Sequence, residues 1–243
     1  MPYVRTHSTI FFSLVELKSL TRNPSLSYMF RVISLVVLFT LCGAWQSSST
    51  RYSAKLFLSM KSKYLGTSPV FVAGGTNGVG LEVVKKLSSL GTPVRALVRR
   101  SDQKTMLESI PLVKAFIGDA ADEAAVQSTM EGCIAAITTL GGKAEQDGKR
   151  IDYIGNSNVV EQAGILGCER IILVTSIGCG TTKDAISPQV YSVLEEALVA
   201  KDKAERDLRM YTNLDWTIIR PGGLKSEPPT VRIISVILTN YKL

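Results

Sequence analysis

Gly74-Gly75-Thr76-Asn77-Gly78-Val79-Gly80, Arg99-Arg100, Ser176 and Lys201 are the residues of this 243-residue chain whose types and spacing could do chemistry. The first group sits in VFVAGGTNGVGLEVV, between a short apolar run and an amphipathic helical pattern. Glycines at 74, 78 and 80 would let backbone approach a phosphate closely, and the opening turn of a helix presents unpaired N–H groups to it. In that setting all seven residues are expected to cradle the pyrophosphate of a dinucleotide, the alternative being a purely structural glycine turn. An NAD site places an acid at the end of the next strand, about twenty residues on, whereas the 2′-phosphate of NADP calls for arginine. Arg99 and Arg100 stand nineteen and twenty residues after Gly80, in VRALVRRSDQ, so NADP (NADPH) is the expected cofactor; the alternative for the pair is a solvated loop.

Lys201 has a basis of its own. On a helix predicted from Pro188 to Tyr211, Val190, Leu194, Ala197, Leu198, Ala204 and Leu208 form one apolar stripe. A wheel at about 100° per residue puts Lys201 inside the stripe and Lys203 opposite. A lysine on a buried face needs a partner, and ribose hydroxyls would be one; otherwise the stem packs while the ammonium reaches water. Ser176, at the end of an apolar run, is either a hydroxyl that polarises a substrate oxygen or a turn residue.

Other chemistries are set aside. The single histidine, His7, lies near the start of the chain, so neither imidazole catalysis nor a histidine metal site is expected. Cys42, Cys133, Cys168 and Cys179 show no Cys-x-x-Cys spacing, and the last three are expected to be reduced and packed. The net charge of +7 resides wholly in residues 1–66, which hold eight basic side chains and one acid. The rest of the chain is balanced, so no nucleic-acid partner is expected.

Residues 1–66 read as a targeting leader and 67–243 as the dinucleotide-binding domain. After Met29, a possible true start, come Arg31 and the apolar run Val32 to Leu41, which has the length of a signal-peptide core and is too short to span a bilayer. Small residues, Trp45 and then an acid-free stretch rich in Ser, Lys and Arg follow. This arrangement resembles the two-part presequences that carry proteins into plastids behind extra membranes, with an ordinary secretory signal as the alternative. No stable membrane span is expected in the mature protein.

Positioning these residues requires a regular scaffold. From Ser68 onward, short β-branched runs (Val70 to Ala73, Val94 to Val98, Val113 to Ile117, Ile134 to Thr139, Ile171 to Thr175, Trp216 to Ile219) alternate with helical patterns beginning near Gly78, Asp102, Asp122, Asp147 and Pro188. Continuously apolar strands belong to a parallel sheet covered on both faces, and the alternation gives a doubly wound α/β fold of Rossmann type.

VRALVRR, FIGDAAD, ILVTSIG, KDKAERDLR and TIIRPGGL together resemble the atypical, NmrA-like branch of the short-chain dehydrogenase/reductases, over about Val70 to Glu227. The glycine turn is similar too, with Ala73 where a Thr usually stands. The resemblance implies Asp119 near the adenine, Ser176 at the catalytic strand end, and Arg220 to Leu224, including Pro221 and Gly222, on the nicotinamide side. It also implies reductions or isomerisations of small organic molecules or, in some members, NADP binding without turnover.

Two departures limit what the resemblance carries. Its Tyr-x-x-x-Lys pair aligns with Ala197 and Lys201, so the Tyr is missing. Tyr191 stands ten residues before Lys201, about 15 Å along a helix, and cannot substitute. After RPGGLKSEPP the tail TVRIISVILTNYKL leaves the family pattern, either as an added edge strand or as a product of gene-structure error, and the domain is expected to be shortened there. The expected function is an NADPH-dependent oxidoreductase in which Lys201 holds the ribose, Ser176 polarises the substrate and water or the substrate supplies the proton. The rival is a non-catalytic NADP sensor or scaffold.

Overall fold

The computed structural model describes residues 68–142, 150–211, 214–224 and 235–239. The leader, with His7, Met29, Cys42 and Trp45, lies outside the described residues, as does most of the tail. In chain order the elements are β1 (Val70–Ala73), α1 (Gly78–Ser89), β2 (Val94–Val98), α2 (Ser101–Glu108), β3 (Val113–Ile117), α3 (Glu123–Met130), β4 (Ala135–Thr138), α4 (Ile154–Ile165) and β5 (Arg170–Val174). A short 3-10 segment (Gly180–Ala185) and then α5 (Pro188–Met210), β6 (Asp215–Pro221) and β7 (Ser235–Thr239) complete the set.

The strands form one sheet in the order β3-β2-β1-β4-β5-β6-β7. All pairings are parallel except β6 with β7, which is antiparallel. The fold is thus the expected doubly wound α/β arrangement, with one strand added at the edge by the divergent tail. Every residue of β1, β4 and β5 is buried, because the sheet is covered on both faces. Alternate residues enter opposite cores. Val70 and Val72 pack with Val84 and Leu87 of α1 and Leu107 of α2, while Phe71 and Ala73 pack with Met130 of α3, Val159 of α4 and Leu208 of α5. Burying a side chain such as Phe71 stabilises the fold by roughly 1.5–3 kcal/mol.

Local signals set several boundaries. Asp122 caps α3 by accepting from the Ala124 N–H, and Ser187 caps α5 by accepting from Val190, with Pro188 at the first helical position. Helix α4 begins at Ile154 rather than near Asp147, which lies outside the described residues. Residues 151–153 form turns instead, since the Asp152 carboxylate is drawn into tertiary contacts described below.

The stripe on α5 is only half used. Leu198, Ala204 and Leu208 are buried, but Val190 and Leu194 are 46% and 42% exposed. A 23-residue helix is about 35 Å long and a five-residue strand about 17 Å, so the first turns of α5 extend past the sheet. Cys133, Cys168 and Cys179 are buried and unpaired, and burial pushes their thiols up to about 12, about 11 and about 11. No helix among the described residues is long and apolar enough to cross a membrane.

Candidate functional site

In an open α/β sheet, ligands bind beyond the carboxyl ends of the strands where the strand order reverses, here between β1 and β4. The loops leaving those two strands are joined directly. The Thr139 N–H donates to the Ala73 carbonyl at 3.0 Å, and its hydroxyl is shared between the carbonyls of Ala73 and Gly74 at 3.2 and 3.1 Å.

The glycine turn lies on this junction. Gly74 and Gly78 have φ of +79° and +48°, conformations that side chains resist. A Cβ at Gly80 would lie 2.0 Å from the Gly74 carbonyl oxygen, and one at Gly74 would lie 2.7 Å from the Thr139 hydroxyl. These two glycines therefore allow α1 and the β4 loop to close on the turn, whereas a Cβ at Gly78 would meet no protein atom within 4 Å. At Gly74 and Gly80 the space that a Cβ would take is thus filled by the chain itself.

The result is an open helix N-terminus. Leu81 is the first residue of α1 whose N–H reaches an intrahelical acceptor, the Asn77 carbonyl at 3.1 Å. The N–H groups of Gly78, Val79 and Gly80 have no acceptor within the helix. Asn77, a residue type favoured at helix starts for its capping side chain, makes no capping hydrogen bond, and the first turn holds no acid. Gly75 is buried beneath the turn, while Thr76 and Val79 are half-buried along it. An anion would find donors and a favourable helix dipole here, with no acid in that first turn.

Arg99 and Arg100 follow β2 at the same end of the sheet, both exposed. The Arg100 guanidinium is held in two hydrogen bonds by Asp102, at 2.9 and 3.0 Å, which raises its pKa and lowers that of Asp102. The Arg99 N–H donates to Gln103 Oε1 at 3.2 Å, which fixes the strand end. Asp119, two residues past β3, is exposed and accepts from the Ala121 N–H at 2.9 Å.

Ser176 leaves β5 half-buried and donates to the Ile177 carbonyl at 2.9 Å. Lys201 has protein partners: its ammonium donates to the Leu140 carbonyl at 2.8 Å and pairs with Asp152 at 3.1 Å. The ammonium is anchored beside the β4 loop and does not snorkel to water. Of its three N–H groups, those two contacts use two and leave one. Ala197 occupies the place one turn earlier on α5; Pro221 ends β6 and Gly222 follows it.

Arg220, which the resemblance put beside the nicotinamide, is instead fully buried against Glu205. Its guanidinium meets the two carboxylate oxygens at 2.9 and 2.5 Å, and Arg209, Thr175 and Thr181 complete the network. Burial works against the Arg220 charge, yet the hydrogen bonds and charge of Glu205 outweigh it and raise the guanidinium pKa. Sequence reasoning missed Glu205 although the signal was present: it stands one heptad after Leu198, inside the stripe that drew attention to Lys201. Asp152 carried no comparable signal.

Residues 74–240 match a family model described as NAD(P)H-binding, and the chain belongs to that family, as a Rossmann-type domain of the atypical short-chain dehydrogenase/reductase kind. Among its relatives, an uncharacterised chloroplastic protein of Arabidopsis thaliana, At2g34460, is 32% identical over 69% of this chain and 63% of its own length. The chloroplastic protein TIC 62 of Pisum sativum is 29% identical over 77% of this chain and 38% of its own length. The chain thus spans less than two thirds of either relative. A solved structure of ChuY, an anaerobillin reductase from Escherichia coli O157:H7, superposes with a TM-score of 0.58 and 31% identity, over 64% of this chain and 73% of that one.

Proposed function

We propose that the chain binds NADP(H) and acts as an oxidoreductase on a small organic substrate in a plastid. The observation that carries this reading is the uncapped, acid-free N-terminus of α1 on the β1–β4 switch point. There the N–H groups of Gly78, Val79 and Gly80 hold the pyrophosphate, and Gly74, Gly75, Thr76 and Asn77 shape the turn around it. Arg99 takes the 2′-phosphate, Asp119 borders the adenine, and the third N–H of Lys201 takes a hydroxyl of the nicotinamide ribose. Pro221 and Gly222 flank the nicotinamide. When bound, the reduced nicotinamide supplies hydride to the substrate. Ser176 polarises the substrate oxygen by rotating its hydroxyl away from the Ile177 carbonyl, and the proton comes from water or the substrate itself.

A second reading has its own support: with Ala197 in place of the family Tyr, the chain binds NADP(H) as a sensor or scaffold without turnover. Incubation with NADPH and a panel of quinones, flavins and enones, followed at 340 nm, separates the two. The enzyme reading expects cofactor oxidation with at least one acceptor class, and tight binding without oxidation across the panel favours the sensor.

The plastid setting rests on the leader's composition and on the chloroplastic relatives. A reporter fused behind Met29 to Gly66 is expected to reach the plastid, and Trp45→Ala to impair the final import step. Secretion of both reporters to the medium contradicts this.

A further inference from the structure

The Lys201 ammonium is held from a direction the family's Tyr-x-x-x-Lys pattern does not supply. Asp152 is only 2% exposed at its side chain, and its carboxylate is shared among three donors. Oδ1 faces the Lys201 ammonium at 3.1 Å, while Oδ2 accepts from the Arg150 guanidinium and the Gly142 N–H, each at 3.3 Å. Arg150 in turn donates to the Gly142 carbonyl at 2.7 Å. The Asp152 backbone is fixed as well, because Asn156 Nδ2 donates to its carbonyl at 2.8 Å and Asn156 Oδ1 accepts from the Thr138 hydroxyl at 2.6 Å. Thr138 is the last residue of β4, so Asp152 is tied to the sheet itself.

The loop leaving β4 lies directly on the pair. A Cβ at Gly141 would stand 3.0 Å from Lys201 Nζ and 3.1 Å from Asp152 Oδ1. A buried ion pair contributes little net stability over apolar packing of the same volume, so what this one provides is a fixed geometry.

We propose that Asp152 is a positioning residue: it fixes the Lys201 ammonium at the carboxyl end of β4 and orients its remaining N–H toward the cofactor ribose. This inference rests on the reading that Lys201 contacts NADP(H). With Ala197 at the family Tyr position, the lysine takes its orientation from the β4–α4 connection and not from its own helix. Asp152 touches neither cofactor nor substrate and acts through Lys201 alone.

A double-mutant cycle on the full chain tests this, with NADPH affinity from fluorescence titration and folding from thermal unfolding as readouts. A charge-assisted hydrogen bond to ribose corresponds to roughly tenfold in affinity. Lys201→Met and Asp152→Asn are each expected to weaken NADPH about tenfold, and the double variant also about tenfold, because both changes remove one contact. A double variant weaker by the product, about a hundredfold, overturns the inference while leaving the Lys201 contact standing. Unchanged affinity in Lys201→Met alone overturns both. Asp152→Asn leaves a buried ammonium unpaired and could prevent folding; the double variant removes that charge. In that event its affinity is compared with that of Lys201→Met, equality being the expected result and further weakening the contrary one.

Discussion

Glu205→Gln is expected to lower the stability of the domain by about 3–5 kcal/mol, the usual consequence of removing one partner from a buried ion pair. Both side chains of the Glu205–Arg220 pair are inaccessible to solvent, and Arg209 also closes on the same carboxylate at 2.6 Å. The amide keeps the shape of the carboxylate but leaves the Arg220 charge without compensation in a dry interior. For a domain of this size the loss corresponds to a fall in Tm of roughly 6–20 °C by circular dichroism. Glu205→Leu combined with Arg220→Leu removes both charges and should recover much of the deficit. A shift below about 2 °C in Glu205→Gln would show that the pair is not what fastens α5 to β6. The consequence reaches the site, because Glu205 stands one turn after Lys201 on the same helix.

Arg99→Ala is expected to weaken NADPH binding roughly five- to a hundredfold and NADH binding little. A guanidinium meets a 2′-phosphate through charge-assisted hydrogen bonds worth roughly 1.5–3 kcal/mol each, reduced by water at an open strand end to about 1–3 kcal/mol in all. NADH lacks that phosphate and loses nothing comparable. Arg100→Ala should change either affinity less, since Arg100 stands one residue further from the end of β2 (Val94–Val98) than Arg99. Raising the salt concentration should blunt the NADPH preference. Equal weakening of both cofactors in Arg99→Ala would remove the phosphate role.

The scaffold was legible where burial on both faces left an unbroken apolar signature. β1, β2 and β3 fall on Val70–Ala73, Val94–Val98 and Val113–Ile117, the same bounds as the apolar runs. α5 began at Pro188 as expected, because a Ser cap followed by Pro is a local signal. The exposure of Val190 and Leu194 was not legible, since a helical wheel shows which face is apolar and not how far the sheet beneath it extends. The tail's divergence from the family pattern did not settle its structure; β7 pairs with β6 through main-chain bonds that need no family motif.

At the site the same division holds. Lys201 was flagged by its place on the apolar stripe, and its ammonium meets the Leu140 carbonyl and Asp152. Its partner Asp152 comes from 49 positions earlier in the chain, in a stretch whose Asp looks like any helix cap. Glu205 and Arg220 were visible as charges in apolar settings, but only three-dimensional packing joins a helix to the strand that follows it. The resemblance put Arg220 with the cofactor through the stretch TIIRPGGL. The arginine side chain is fully buried, as is Pro221, while Gly222 just past the strand is half-buried.

The central claim is that the Gly74–Gly80 turn and Arg99 make this chain an NADP(H)-binding protein. Calorimetric titration of the purified wild-type chain with NADPH and, separately, with NADH tests it most directly. The account predicts one site per chain, with NADPH bound roughly five- to a hundredfold more tightly than NADH. Equal affinity for the two would contradict the NADP assignment, and no heat or saturation with either, in protein shown to be folded, would contradict the site itself.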